Sequence, residues 1–148
     1  MSTPRASLSS LLCFDLYAAS RAVTKAYRAF LDPLGLTYPQ YLVMTALWEE
    51  SPLGVKDLSE RLALDSGTLS PLLKRLEAAG LVTRTRSQED ERSVSIALST
   101  AGKTLRAKLP VVCEGIGARF GMKADEARRL QTILREIRSR MDPDPTAP

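Results

Sequence analysis

The chain contains no histidine. That absence removes Ser-His-Asp and Cys-His catalysis, together with the zinc and haem sites that depend on an imidazole ligand. Cysteine is scarce as well. Cys13 and Cys113 stand about a hundred residues apart, too far to form a metal knuckle, and a chain of 148 residues with a full apolar complement needs no disulfide staple. No stretch approaches about 18 consecutive apolar residues, and Met1 to Ser10 lack a basic region followed by an apolar run, so neither a membrane span nor a signal peptide is evident. These absences lead us to expect a cytoplasmic protein in reducing surroundings, without metal or cofactor and not an enzyme. Charge is modest too: 21 Lys+Arg against 17 Asp+Glu leave +4, which permits a polyanionic partner without the surplus of a basic tail.

What the chain does have is helical periodicity. At this length one domain spanning residues 1–148 is expected, able to hide roughly 70% of its unfolded surface. Residues 1–7 and 142–148 are polar and Pro-rich and read as frayed tails. From Leu12 the residues Leu16, Ala19, Val23, Ala26 and Phe30 recur every three or four positions, the face of a long helix capped by Ser9 or Ser10 and stopped by Asp32-Pro33 and Gly35. Thr37 caps a second helix running to about Glu50, and a short third one spans Val55 to Leu62. A fourth, Ser66 to Ala79, carries the stripe Leu69, Leu72, Leu73, Leu76 and ends at Gly80. Alternation with period two then predicts a β-hairpin, Leu81 to Ser87 and Ser93 to Leu98, around the tip Gln88-Glu89-Asp90-Glu91-Arg92. A fifth helix capped by Ser99 or Thr100 is expected to run through Leu105, Leu109, Val112, Ile116 and Phe120, and a sixth from Lys123 to Met141. The fold class expected is mainly α with a small β-hairpin wing, a winged helix-turn-helix in residues 53–98 flanked by helices in 8–50 and 99–141.

Placing the leucine stripe of the fourth helix inward turns Thr68, Ser70, Lys74 and Arg75 outward at 100° per residue. Such a face is short and polar at its start, then basic, as a helix entering a major groove requires; on this helix alone an ordinary solvated face explains it equally well. The hairpin changes that balance. Arg84 and Arg86 lie two apart on one strand face, and Arg92 at the tip suits a narrow minor groove, with Asp90 placed to orient it. Residues 66–86 hold Lys74, Arg75, Arg84 and Arg86 against Glu77 alone, whereas residues 53–98 balance overall, so any basic surface is local. The candidate DNA-binding residues are Ser66, Thr68, Ser70, Lys74, Arg75, Arg84, Arg86, Asp90 and Arg92.

Cys13, Tyr17, Ser20, Thr24 and Tyr27 form a second, more polar stripe on the first helix. Cys13 lies near the helix start, where the partial positive charge of the N-terminus favours a thiolate while Asp15 opposes it; a buried inert cysteine beside Leu12 and Leu16 is the plainer alternative. Tyr27 follows Cys13 by about 14 residues, which leaves it about 40° around the helix but about 21 Å along it. A straight helix cannot bring the two together within one chain, so any bond between them requires a second copy. Cys113 fits the apolar stripe of the fifth helix as a small core residue.

Several runs are specific enough to carry a resemblance: Val55-Lys56-Asp57-Leu58-Ser59-Glu60-Arg61-Leu62, Asp65-Ser66-Gly67-Thr68 continuing through Leu76-Glu77, Gly80-Leu81-Val82, and Asp90-Glu91-Arg92-Ser93. They resemble the MarR family of transcriptional regulators over nearly the whole chain. Asp65-Ser66-Gly67-Thr68 and the stretch around Cys13 are similar to its organic-hydroperoxide-resistance regulators (OhrR). That resemblance implies a homodimeric repressor joined through its N- and C-terminal helices, bound to a pseudo-palindromic operator on double-stranded DNA and released when an organic hydroperoxide oxidises a thiol. It further implies that Tyr27 and Tyr38 of a partner subunit bond to Cys13, and that Cys113 resolves the oxidised thiol into a disulfide. Two other readings stay open: a regulator released by a small phenolic or anionic ligand with Cys13 incidental, and a thiol peroxidase with Cys13 as nucleophile.

Overall fold

The computed structural model describes residues 7–90 and 92–142; the expected tails, apart from Ser7 and Asp142, and Glu91 of the expected wing tip lie outside the described residues. The chain divides into two compact units, one ending at Val112 and one beginning at Cys113. In the first unit, α1 (Leu12–Leu31) is followed by a 3₁₀ turn (Asp32–Leu34), α2 (Tyr38–Glu49), β1 (Leu53–Gly54), α3 (Val55–Leu62), α4 (Ser66–Ala78), β2 (Val82–Arg86), β3 (Val94–Leu98) and α5 (Thr100–Leu105). Helix α6 (Leu109–Phe120) starts in the first unit and continues into the second, which also holds α7 (Ala124–Met141).

The core of the first unit is built on α2. Gln40, Tyr41, Val43, Met44, Ala46, Leu47 and Trp48 are all buried, so this helix is covered around most of its circumference. It begins with a capping box: the Thr37 hydroxyl accepts from the Gln40 backbone N–H, and Gln40 Oε1 accepts the Thr37 backbone N–H at 2.9 Å. The leucine stripe of α4 behaves as its spacing predicts, with Leu69, Leu73 and Leu76 fully buried and Leu72 nearly so. Gly80, at φ 75°, closes α4 with its N–H on Glu77 O at 2.9 Å and that of Leu81 on Leu76 O at 3.0 Å, the left-handed stop that glycine accepts without a Cβ penalty. Between α3 and α4 the turn is made by Ala63 at φ 51°.

Two expectations need correction, and the hairpin, present as expected, needs an addition. The hairpin is part of a three-stranded antiparallel sheet of order β1-β3-β2, because Leu53 pairs with Ile96 and Gly54 with Ser95 across about forty residues, a partnership no local alternation announces. Neither Ser9 nor Ser10 caps α1: both belong to a separate 3₁₀ turn, Leu8–Ser10, where the Ser10 hydroxyl donates to Ser7 O at 2.9 Å, and Leu11 stands at the cap position. Cys13 is therefore the second residue of α1. The single fifth helix expected from Ser99 to Phe120 is broken into α5, a 3₁₀ turn (Arg106–Lys108) and α6. Pro110 is the cause, since it has no N–H for the Arg106 carbonyl; Leu109 N–H takes that carbonyl instead, tightening the turn.

Gly102 on α5 leaves no room for a side chain: a Cβ there would lie 2.1 Å from Leu81 O, a backbone atom. Gly102→Ala is expected to destabilise the first unit by about 1–3 kcal/mol through that overlap, read as a lower urea midpoint with an unchanged slope.

Candidate DNA-binding face and thiol site

The candidate face for DNA is assembled from α4 and the wing. Asp65 accepts the Thr68 backbone N–H on Oδ1 at 2.7 Å, which caps α4 and fixes where Ser66, Thr68 and Ser70 emerge. That bond holds the Asp65 carboxyl below its ordinary 3.8, so its stabilising contribution is complete above that value and is lost only as pH falls through the lowered one. Ser66, Thr68, Lys74 and Arg75 are exposed and Ser70 is partly so. In the wing, Arg84 stands opposite Ile96 and Arg86 opposite Val94, so both arginines continue the strand face that Val82 begins in the core. They share a cleft of about 260 Å³ with Glu77 of α4 and Val94. The two guanidinium groups thus border the gap between α4 and the hairpin, a position the strand alternation alone did not reveal.

At the wing tip the Ser87 hydroxyl accepts the backbone N–H groups of Glu89 and Asp90, at 3.2 and 3.4 Å. Asp90, considered from sequence as a brace for the Arg92 side chain, accepts the Arg92 backbone N–H on Oδ1 at 3.0 Å. It shapes the turn that carries Arg92. Ser66, Asp90 and Arg92 line a second cleft, of about 680 Å³, along α3.

The thiol residues fall into separate groups. Cys13 is exposed, with exposed Leu12, Phe14 and Tyr17 around it, so the buried inert cysteine is not what this chain contains on its own. Tyr17 accepts a hydrogen bond from Arg21 Nη1 at 3.0 Å, and the guanidinium lies 5.5 Å above its ring. Tyr27, in the last third of α1, meets Tyr38 at the start of α2 with ring centroids 4.6 Å apart. Two aromatics that sequence reasoning left out complete the group: Tyr41, 5.5 Å from Tyr27 and 6.5 Å from Tyr38, and Trp48, 6.4 Å from Tyr41 and edge-on to it. The spacing of Tyr38 and Tyr41 by one helical turn was the available signal. Because α1 is unbroken, Cys13 stays about 21 Å along it from Tyr27 in the same chain. Cys113, in the second unit, is exposed too, not a core filler, although its neighbour Val112 is buried.

Helix, turn, helix and a two-stranded wing, with short polar and basic side chains on the second helix, define a winged-helix DNA-binding protein. A family model described as transcriptional regulator SarA/Rot matches residues 25–109, and the chain belongs to this family of MarR-like transcriptional regulators. It is 48% identical over 130 residues to the organic hydroperoxide resistance transcriptional regulator of Bacillus subtilis (strain 168), covering 86% of each. To the HTH-type transcriptional regulator TtmR of Methylorubrum extorquens (strain PA1) it is 50% identical over 135 residues, covering 91% of this chain and 69% of that one. Among solved structures, reduced AbfR bound to DNA superposes with a TM-score of 0.76 at 36% identity, over 90% of this chain and 94% of that one. PcaV of Streptomyces coelicolor reaches 0.84 at 23% identity, over 96% of this chain and all of that one, a likeness of fold alone.

Burial raises the Tyr38 phenol above its ordinary 10.0, which keeps it a protonated O–H donor throughout the neutral range. A group whose folded value is raised contributes stability below the unfolded value and loses it as pH rises, so Tyr38 opposes folding only above pH 10. In an alkaline absorbance titration, Tyr38→Phe is expected to reduce the component that ionises above 10 by about one tyrosine.

Proposed function

We propose that this protein is a homodimeric transcriptional repressor of the cytosol that senses organic hydroperoxides through Cys13 and then releases its operator. The observation that carries the reading is the convergence of Tyr27 and Tyr38 at 4.6 Å in a chain whose own Cys13 lies about 21 Å away along the same helix. Tyr38, held protonated by burial, stands beside Tyr27, so two phenols meet where a sulfur anion could be bound, and a second copy laid antiparallel supplies the sulfur. Exposed apolar side chains support such a copy. Leu12, Phe14 and Tyr17 stand open on α1, and α7 has no buried residue although Leu130, Ile133 and Leu134 form one stripe on it. The similarity to a regulator named for organic hydroperoxide resistance points the same way.

The chemistry is a two-electron oxidation. The Cys13 thiolate attacks the terminal oxygen of ROOH, the O–O bond breaks, the sulfur becomes a sulfenic acid, and the leaving alkoxide takes a proton to become ROH. The Cys113 thiol can then condense with the sulfenic acid to a disulfide, releasing water. Oxygen on the sulfur disturbs its bonds to Tyr27 and Tyr38, and with them the arrangement of the dimer. One operator half-site receives each α4, with Ser66, Thr68 and Ser70 toward base edges, Lys74 and Arg75 toward phosphate or guanine, Arg84 and Arg86 bordering the backbone, and Arg92 in the minor groove on the turn that Asp90 shapes. A shift of a few kcal/mol between two dimer arrangements lowers affinity a hundredfold or more.

The test uses a duplex selected by the reduced protein from random DNA, and cumene hydroperoxide. One equivalent is expected to oxidise Cys13 once, without turnover, and to lower wild-type affinity by about a hundredfold, while Cys13→Ser stays bound. Release of the serine variant would contradict the reading, and release by a phenolic acid in place of peroxide would favour a ligand-gated regulator. For the DNA face, Arg92→Ala is expected to weaken binding and reduce A·T preference, and Lys74→Ala or Arg84→Ala to lower the salt slope by about one each.

A further inference from the structure

The aromatic group does not end at the tyrosines. Trp48, the single tryptophan of the chain, is buried, packs edge-on against Tyr41, and donates its indole Nε1–H to Gly102 O at 2.9 Å. Gly102 sits in the first turn of α5, directly against the backbone of Leu81 because it has no Cβ. Two more bonds tie the same turn to the same place: Ser99 N–H donates to Leu81 O at 3.0 Å, and the Ser99 hydroxyl donates to Gly80 O at 2.5 Å. Gly80 and Leu81 are the residues that close α4, through their own bonds to Glu77 and Leu76. Contacts therefore run without a gap from Tyr27 and Tyr38 through Tyr41 and Trp48 to Gly102, and from Gly102 to the end of the helix that carries the DNA-reading side chains.

We propose that Trp48 is a positioning residue that couples the state of the Tyr27–Tyr38 pair to the end of α4, through its hydrogen bond to Gly102. The proposal rests on the peroxide-sensing reading above. A buried indole N–H left without a partner costs the full desolvation of that group, so a repacked ring must carry Gly102 with it or lose the bond. Gly102 in turn cannot slide past Leu81, since backbone meets backbone there with no flexible side chain to yield. A close-packed interior of this kind has discrete arrangements in place of continuous give, which is what transmission over a distance requires. Tyr41 supplies the remaining contact, between the sensor pair and the indole. An indole that only filled the core would affect stability and leave the link between oxidation and release intact.

Trp48→Phe keeps an aromatic ring and removes the N–H. With the selected duplex and cumene hydroperoxide, the reduced variant is expected to bind within about threefold of wild type, and mass spectrometry to show Cys13 oxidised at the wild-type rate. The oxidation-driven loss of affinity is expected to shrink from about a hundredfold to about tenfold or less. Release by the full hundredfold would overturn the proposal. A second measurement needs no variant of the tryptophan: as the only indole, Trp48 reports on itself, and its emission in the wild-type dimer is expected to change on peroxide treatment but not in Cys13→Ser. Unchanged emission in wild type that has been oxidised and released from DNA would overturn the coupling alone. A wild type that holds its DNA after verified Cys13 oxidation would instead remove the sensing reading and this proposal with it.

Discussion

Because α2 buries side chains on nearly all its sides, it is the element on which the core of the first unit is built. Tyr41, Val43, Met44, Leu47 and Trp48 leave no solvated face between them wide enough to accept an ordinary polar surface, so α1, α3, α4 and the sheet take the available directions. Helix α4, which bears the candidate DNA-reading residues, is held from below by four leucines. Its outer face is left to Thr68, Ser70, Lys74 and Arg75. At the other end of α2, Tyr38 and Tyr41 project where the last third of α1 passes, which is why Tyr27 joins them. One buried helix therefore touches both the candidate sensor and the candidate DNA-reading helix.

Helix α1 behaves differently. Its C-terminal part is packed, ending in the buried Leu31, while its first turns carry Cys13 among exposed Leu12, Phe14 and Tyr17. A chain folding alone gains little from leaving such side chains in water, and the same holds for the apolar stripe of α7. In the function proposed, a second copy of the chain gives the exposed start of α1 a use, and laid antiparallel it carries Cys13 toward a foreign Tyr27. Sensing and dimerisation are, in the reading proposed, one packing problem.

Much of the fold was legible because it is local. The spacing of Leu69, Leu72, Leu73 and Leu76, the stop at Gly80, the cap at Thr37 and the alternation of Val82 to Arg86 each depend on neighbours within a turn or two. What was not legible depends on distant pairing or on a donor that is missing. The β1 strand is two residues long and exists only because β3 accepts it. The break before α6 follows from Pro110, a residue visible in the sequence whose effect was outvoted by the apolar stripe around it. Of the candidate site, the meeting of Tyr27 and Tyr38 at 4.6 Å was not readable, since they belong to different helices joined by a turn around Gly35. The Trp48 bond to Gly102 spans 54 residues and has no sequence signature at all.

The central claim is that the sensing unit is shared between two chains, and mixed dimers test it directly. One subunit would carry Cys13→Ser with its tyrosines intact, the other Tyr27→Phe and Tyr38→Phe with its cysteine intact, and the rate of Cys13 oxidation by cumene hydroperoxide would be followed by mass spectrometry. If the site is shared, the mixed dimer holds one complete copy, and its single Cys13 oxidises at the wild-type rate although the doubly substituted homodimer is slow. A mixed dimer as slow as that homodimer would show that each cysteine is served by its own chain, and would contradict the account.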